Sequence, residues 1–362
     1  MTAASKASPP TITWDSGTAY EFFVSLHVLL TPDHYGIRPS GAAGIRSRIP
    51  AVDRKFLEEI IHFLGMPLGW VLGLPAPKDA ISVLWALRQI PPEKRLLTVM
   101  ALDCWEDAEP RDTFLRIAER GAWDQADLAA LEAALAAEKG GHKPDEKLLL
   151  QFLDWWARPK EAGERLLSAL QAYYAAFFEE EEKRVGPVLQ AGLAQAQELA
   201  GRMSLAELMV ELSQGVHFEE VTAQELILVP AYWTTPLVIL ERVDATRQLF
   251  LFGARPATMS TLPGELVPEG LLRSLKALAD PTRLTILYYI SQEDVTPSQL
   301  ARRLHLRAPT VTHHLNELRL AGLVNLTFRG QEKLYRARPE AIAAAYDRLQ
   351  EFLHAPAGDA QN

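Results

Sequence analysis

The sequence predicts a mainly α protein with small β elements, and three observations carry that prediction. Between residues 52 and 214, apolar side chains recur at three- and four-residue spacing, as at Phe56, Ile60, Phe63 and Leu64. Residues 225–229, 236–240 and 248–252 are instead short apolar runs rich in β-branched residues, separated by Pro or polar turns. From about residue 266 the helical period returns in short pieces and ends in a hairpin pattern. The 362 residues give room for two or three domains of ~100–200 residues each.

Residues 1–10 are polar and Pro-rich, and 11–14 fit a short strand. A helix is expected from Ser16-Gly-Thr18 to about Leu30, closed by Pro32-Asp33-His34. Residues 36–50 mix Gly, Pro and Arg without a helical period and read as a loop. Residues 145–182 read as one long helical stretch that holds Trp155-Trp156 and ends in the acidic run 179–182, an exposed face. Ser204-Leu-Ala-Glu207 has the form of a capping box, so a fresh helix starts there. The runs between 225 and 252 read as two or three antiparallel strands, and 255–265, with Pro256, Pro263 and Gly264, as a linker.

After residue 266 the signals are more specific. Leu271, Leu272, Leu275 and Leu278 share a helical face. Asp280-Pro281 caps and starts the next helix, which is expected to bury Leu284, Leu287, Tyr288 and Ile290. Thr296-Pro-Ser-Gln299 is a second capping box, opening a helix over 297–304 that buries Leu300 and Leu304. A turn at 305–307 leads to a helix over 308–321, with Val311, Leu315 and Leu318 inward and Gly322 at its end. Its other face carries Thr310, Thr312, His313, Asn316 and Arg319. Because neighbours on a helix point ~100° apart, His313 is expected to face outward and His314 to pack in part against the module. Residues 323–328 and 334–337 flank a basic hairpin tip at 329–333, and an amphipathic helix follows over 339–353.

Two short helices joined by a tight turn and followed by a hairpin make a winged helix-turn-helix. An exposed helix of this length fits the major groove of DNA. Arg302, Arg303 and Arg307 before it, and Arg329 and Lys333 in the wing, suit phosphates. Charge supports this locally: the chain is −9 overall, yet residues 266–355 hold twelve Lys/Arg against nine Asp/Glu. The domain expectation is therefore 11–254 for a mostly helical sensor or interaction domain with strands near 225–252. A linker over 255–265 and the DNA-binding module over 266–355 follow.

The segments LKALADPTRLTILYYI and SQLARRLHLRAPTVTHHLNELRLAGLV, with the hairpin after them, resemble ArsR-type winged-helix regulators over about a quarter of the chain. The resemblance implies that Thr310, Thr312, His313 and His314 belong to the recognition helix and that 329–333 is the wing. It also implies a homodimer joined through the first and last helices of the module. Two positions depart from the family pattern: Arg307 stands where a capping Ser is usual, and Ala308 where a Gln is usual. Metal-sensing relatives carry two cysteines in the stretch matching 294–300, which here has no thiol. The last helix offers Asp347 and His354 without the paired spacing of zinc sensors. No metal and no cofactor are therefore expected. The opening 20–26 resembles the start of large helical regions on some ArsR-like regulators.

The single cysteine, Cys104, excludes an intrachain disulfide framework and reads as a small apolar residue. No run of ~18 apolar residues and no secretory signal are present, which leads to an expected cytoplasmic location. All eight tryptophans precede residue 234, and core packing accounts for them more readily than an effector pocket does. Upstream of the module there is no G-x-G-x-x-G, P-loop, H-E-x-x-H or G-x-S-x-G pattern, so an enzyme with a DNA-binding appendage is a secondary reading. A protein-interaction adaptor is another. The partners expected are double-stranded DNA, a second copy of the chain, and a small-molecule or protein effector for the first 254 residues, with no membrane.

Overall fold

The computed structural model describes residues 10–100, 108–138, 145–218, 223–263, 267–329 and 332–354. The expectations for residues 1–9, Cys104 and Trp105 lie outside those residues. Strand β1 (Thr11–Trp14) and helix α1 (Thr18–Leu30) stand where expected. The expected loop over 36–50 contains a helix, α2 (Pro39–Arg46), with Ala42 and Ile45 buried. Eight residues are too few to show a period, and Gly41 hides its packing role: a Cβ there would collide with Leu262 Cδ1.

Among the described residues, the apolar-periodic stretch forms helices α3 (Ala51–Leu64), α4 (Leu68–Leu72), α5 (Ala80–Gln89), α6 (Pro92–Met100), α7 (Ala108–Arg120), α8 (Gln125–Glu138), α9 (Glu146–Trp156) and α10 (Pro159–Tyr173). Their core centres on aromatic rings, among them Phe22, Phe56, Phe114, Phe152, Trp156 and Phe178. The long helix expected over 145–182 is broken at Arg158-Pro159, since Pro donates no hydrogen bond and disfavours helical backbone before it. A π-turn at Tyr174–Phe178 then leads into α11 (Glu179–Ala200), which runs far past residue 182. Helix α12 (Leu205–Leu212) opens on the expected capping box of Ser204 and Glu207.

The acidic run 179–182 is a solvated face only in its first half: Glu179 and Glu180 are exposed, Glu181 and Glu182 are not. Four successive residues circle most of a helix, so at least one must point inward. Glu181 is buried, pairs with Arg184 and accepts from Trp233 Nε1 at 2.8 Å. Glu182 accepts from Thr18 Oγ1 and from the Ala80 amide. Nearby, the fully buried Glu21 accepts from the amides of Tyr232 (2.7 Å) and Trp233 (3.1 Å). Burial pushes its carboxyl up to about 7 against the pull of those two amides.

A four-stranded sheet of order β1-β3-β5-β4 crosses this mass, built with β3 (Glu225–Ala231), β4 (Ile239–Arg242) and β5 (Arg247–Gly253). The expected antiparallel arrangement holds only for β4 with β5; β1 with β3 and β3 with β5 are parallel. The unbroken apolar runs of β3 and β5 have a physical cause, because both faces of the sheet are covered. Ile227, Val229, Leu249 and Leu251 join the large helical core, while Leu226, Leu228, Phe250 and Phe252 pack with α11 and α12. Within the expected linker, Arg255, Thr261 and Leu262 are buried, whereas residues 256–258 and Pro263 are exposed. Gly264 and Glu265 lie outside the described residues.

The C-terminal part comprises α13 (Glu269–Leu278), α14 (Pro281–Gln292), α15 (Pro297–Leu304), α16 (Ala308–Leu320), β6 (Val324–Arg329), β7 (Glu332–Ala337) and α17 (Pro339–His354). Its own core gathers Ile286, Ile290, Leu300, Val311, Leu315, Leu318 and Tyr335. On α14 the expected face is corrected: Ile286, Leu287 and Ile290 point in, whereas Leu284 and Tyr288 are 49% and 66% exposed. That helix is apolar nearly all round, so periodicity alone does not choose a side.

This part is not hung on a free tether. A short strand, β2 (Val216–Phe218), leaves α12 and pairs in parallel with β6, so the wing sheet has the order β2-β6-β7. Phe218 stacks on Phe328 of the wing (centroids 6.3 Å apart) and meets Phe250 of the other sheet edge-on (5.9 Å). Arg338 Nη1 donates to Gln214 O at 2.6 Å. Arg273 Nη2 donates to Gly36 O (3.0 Å), Tyr35 O (3.3 Å) and Glu269 Oε1 (2.8 Å), while its Nη1 reaches Leu320 O at 3.2 Å.

Candidate nucleic-acid interface

The candidate interface is built on two short helices whose starts are set locally. Thr296 accepts from the Gln299 amide at 3.2 Å and Gln299 Oε1 accepts from the Thr296 amide at 2.8 Å, closing the capping box of α15. His305, with φ 53°, makes the left-handed turn between α15 and α16. Arg307 is the N-cap of α16 and makes no side-chain cap bond, so this helix start rests on packing. That packing is the stripe Val311, Leu315 and Leu318, all fully buried.

With that stripe turned inward, the opposite side of α16 is fixed. Thr310, Thr312, His313 and Asn316 are exposed along it. His314 is only 15% exposed; its Nδ1 lies 4.0 Å from Asp280 Oδ1. Asp280 caps α14, accepting from the Arg283 amide at 2.8 Å, and that bond holds its carboxyl below the usual range. His314 thus faces the α13–α14 corner, not the open side. Arg319, placed by the sequence reading on the open face, is half-buried beside Tyr335, and burial lowers its guanidinium pKa.

The cations flank the open helix. Arg302 and Arg307 are exposed. Arg303 pairs with Glu293 at 2.8 Å and lies over the Tyr289 ring at 5.7 Å. In the wing, Arg329 ends β6 opposite Glu332, and Lys333 lies 5.7 Å over the Phe328 ring. Gly330 and Gln331, at the expected wing tip, lie outside the described residues. Sequence reasoning passed over Arg336, an exposed cation on β7 that pairs with Asp294 at 3.1 Å. The alternation Leu334-Tyr335-Arg336-Ala337 carried only a weak signal for it, because Leu334 and Tyr335 are both buried.

The ArsR family of bacterial regulatory proteins matches residues 280–325, from the α14 cap into β6. The HTH-type transcriptional regulator CmtR of Mycobacterium tuberculosis is 38% identical over 85 residues, which cover 24% of this chain and 72% of CmtR. The chain belongs to the ArsR family. The transcriptional repressor SdpR of Bacillus subtilis is 28% identical over 79 residues, covering 22% of this chain and 88% of SdpR. The solved structure of reduced HlyU from Vibrio cholerae is 30% identical, covers 24% of this chain and 90% of HlyU, and has a TM-score of 0.19. CmtR and SdpR therefore match about a quarter of the chain. Among the described residues no helix is long and apolar enough to cross a membrane, and no three His, Cys, Asp or Glu side chains gather as a metal-ligand set.

Proposed function

We propose that this ArsR-family chain is a one-component transcriptional regulator that reads double-stranded DNA with α16 and responds to an effector or partner through residues 11–254. The observation that carries the reading is the single open face of α16, where Thr310, Thr312, His313 and Asn316 stand together over a helix of 13 residues. Hydroxyl, imidazole and amide groups on such a face suit base edges in the major groove. Arg302, Arg303, Arg307, Arg329 and Lys333 surround it and would contact phosphates, with the wing 329–333 on the backbone or minor groove. His314 and Arg319 are better assigned to holding α16 in place than to DNA contact.

In this proposal the working form is a homodimer. Helices α13 and α17 pack together, and α17 leaves Tyr346 (57%) and Leu353 (69%) exposed, an apolar surface suited to a second copy. The regulator answers to something other than a thiophilic metal, because residues 294–300 contain no thiolate donor. The functional division is 11–254 for sensing, 255–265 as connection and 266–355 for DNA binding.

The test is titration of the full chain onto the DNA upstream of its own gene at several salt concentrations. The expected result is a specific complex with a steep salt slope, from release of counterions at several phosphates. Binding no tighter than to random DNA would overturn the proposal.

A further inference from the structure

A cavity of about 500 Å³ lies where the helical part meets the winged helix. One wall is α11, the end of α12 and the end of β5; the other is the C-terminus of α16 and one side of α17. A smaller cavity of about 110 Å³ shares part of that lining, including Arg255 and Arg348. The larger volume falls in the range of small-molecule sites, ~300–1,000 Å³.

Two guanidinium groups in this lining are incompletely satisfied. Arg255 is buried, with its terminal nitrogens on Met259 O (3.1 Å) and Thr235 O (2.8 Å) and with Glu269 3.6 Å away. Its Nε is buried and has no hydrogen-bond partner. Arg348, on α17, also has a buried Nε without a partner, and among the described residues it forms no ion pair. The third cation in the lining, Arg338, is already held by Gln214 O, Gly322 O and Glu340. Buried N–H groups of a cation left unmet are costly, and native structures nearly always satisfy them. A planar guanidinium best meets a carboxylate or phosphate, which accepts from two of its N–H groups at once. Of the acids in the lining, Glu340 is taken by Arg338 and Glu211 is solvent-exposed. The rest of the lining is mixed: Leu199, Ala341 and Ala344 offer apolar surface beside Gln195 and Gln214.

We infer that this cavity binds a small amphipathic anion, its carboxylate or phosphate on Arg348 with Arg255 behind it and its apolar body against Leu199, Ala341 and Ala344. Such a ligand touches both walls at once. Its affinity therefore depends on how the winged helix is docked, and this gives it leverage over DNA binding. That last step rests on the regulatory reading above; the binding site itself does not.

The test uses the full chain with octanoate, octyl phosphate and octanol as probes, followed by titration calorimetry. One or both anions are expected to bind, the tighter one naming the headgroup, and octanol to bind at least about tenfold more weakly. Arg348→Gln removes the cation and Ala344→Leu fills the cavity from α17 without touching charge; each should weaken the anion at least about tenfold while far-UV circular dichroism stays unchanged. If Arg348→Gln does not fold, Ala344→Leu alone decides. No binding of either anion up to about 1 mM, equal binding of octanol, or undiminished binding by the folded variants would overturn the site. Anion binding that leaves DNA affinity unchanged would keep the site and overturn its regulatory role.

Discussion

Arg273 makes the sharpest test of how the winged helix is held. Its guanidinium donates to carbonyls on two separate parts of the chain, Tyr35 and Gly36 on one side and Leu320 at the C-terminus of α16 on the other. It also pairs with Glu269, and its side chain is 10% exposed. Replacing it with Met keeps the length and removes the charge. Breaking a buried pair by deleting one partner costs about 3–5 kcal/mol when the other charge is orphaned. Glu269 is not orphaned, because Thr261 still donates at 2.6 Å and Arg255 stays 3.6 Å away. Three carbonyls nonetheless lose a charged donor, so a loss of about 3 kcal/mol is expected, concentrated at the docking contact.

The tryptophans make this measurable. All eight precede residue 234, so their fluorescence reports unfolding of the first part alone, whereas far-UV circular dichroism reports the whole chain. In urea, Arg273→Met should move the dichroism midpoint below the fluorescence midpoint, with the C-terminal helices melting first. A loss under about 1 kcal/mol, or two probes that shift together, would refute the docking role assigned to Arg273.

Thr312→Ala or His313→Ala should lower discrimination between operator and random DNA by about 1–3 kcal/mol per lost base contact, measured by competition binding. Arg302→Ala should weaken binding to all sequences alike and reduce the salt slope by about one. Glu21, raised from 4.5 to about 7 by burial, stays protonated in the folded protein at pH values where the unfolded chain has ionised. Stability from this group is thus full below pH 4.5, falls as pH rises through about 7, and totals about 3 kcal/mol. Glu21→Gln should flatten that slope in urea melts at pH 5 and pH 8, even if a mismatched amide lowers stability throughout. Tyr346→Glu with Leu353→Glu should shift the sedimenting species from dimer to monomer; an unchanged dimer would place the interface elsewhere.

The local signals in the sequence were the reliable ones. The caps at Ser204, Asp280 and Thr296 form as expected, because each is decided within four residues. The open face of α16 was legible because three inward aliphatic residues fix its rotation. What escaped depends on distant partners. The parallel pairing of β1, β3 and β5 needs a layer on each side of the sheet, and only an unbroken apolar run hints at it. Arg319 lay on the polar side of its helix, yet β7 folds back over it. Glu181 sat among three other glutamates, and nothing nearby marks it as the one that meets Trp233.

The pairing of β2 with β6 bears on how such a protein can be taken apart. The family match ends at Asn325, and the cross-pairing begins one residue later, at Val216 with Leu326. The segment shared with relatives and the piece that can be excised intact are therefore different things. A fragment cut at residue 266 would leave β6 with a bare edge carrying Leu326 and Phe328, open to stray strand pairing. Grafts of this reading head onto other scaffolds should carry residues 204–218 as a companion peptide, or disguise that edge.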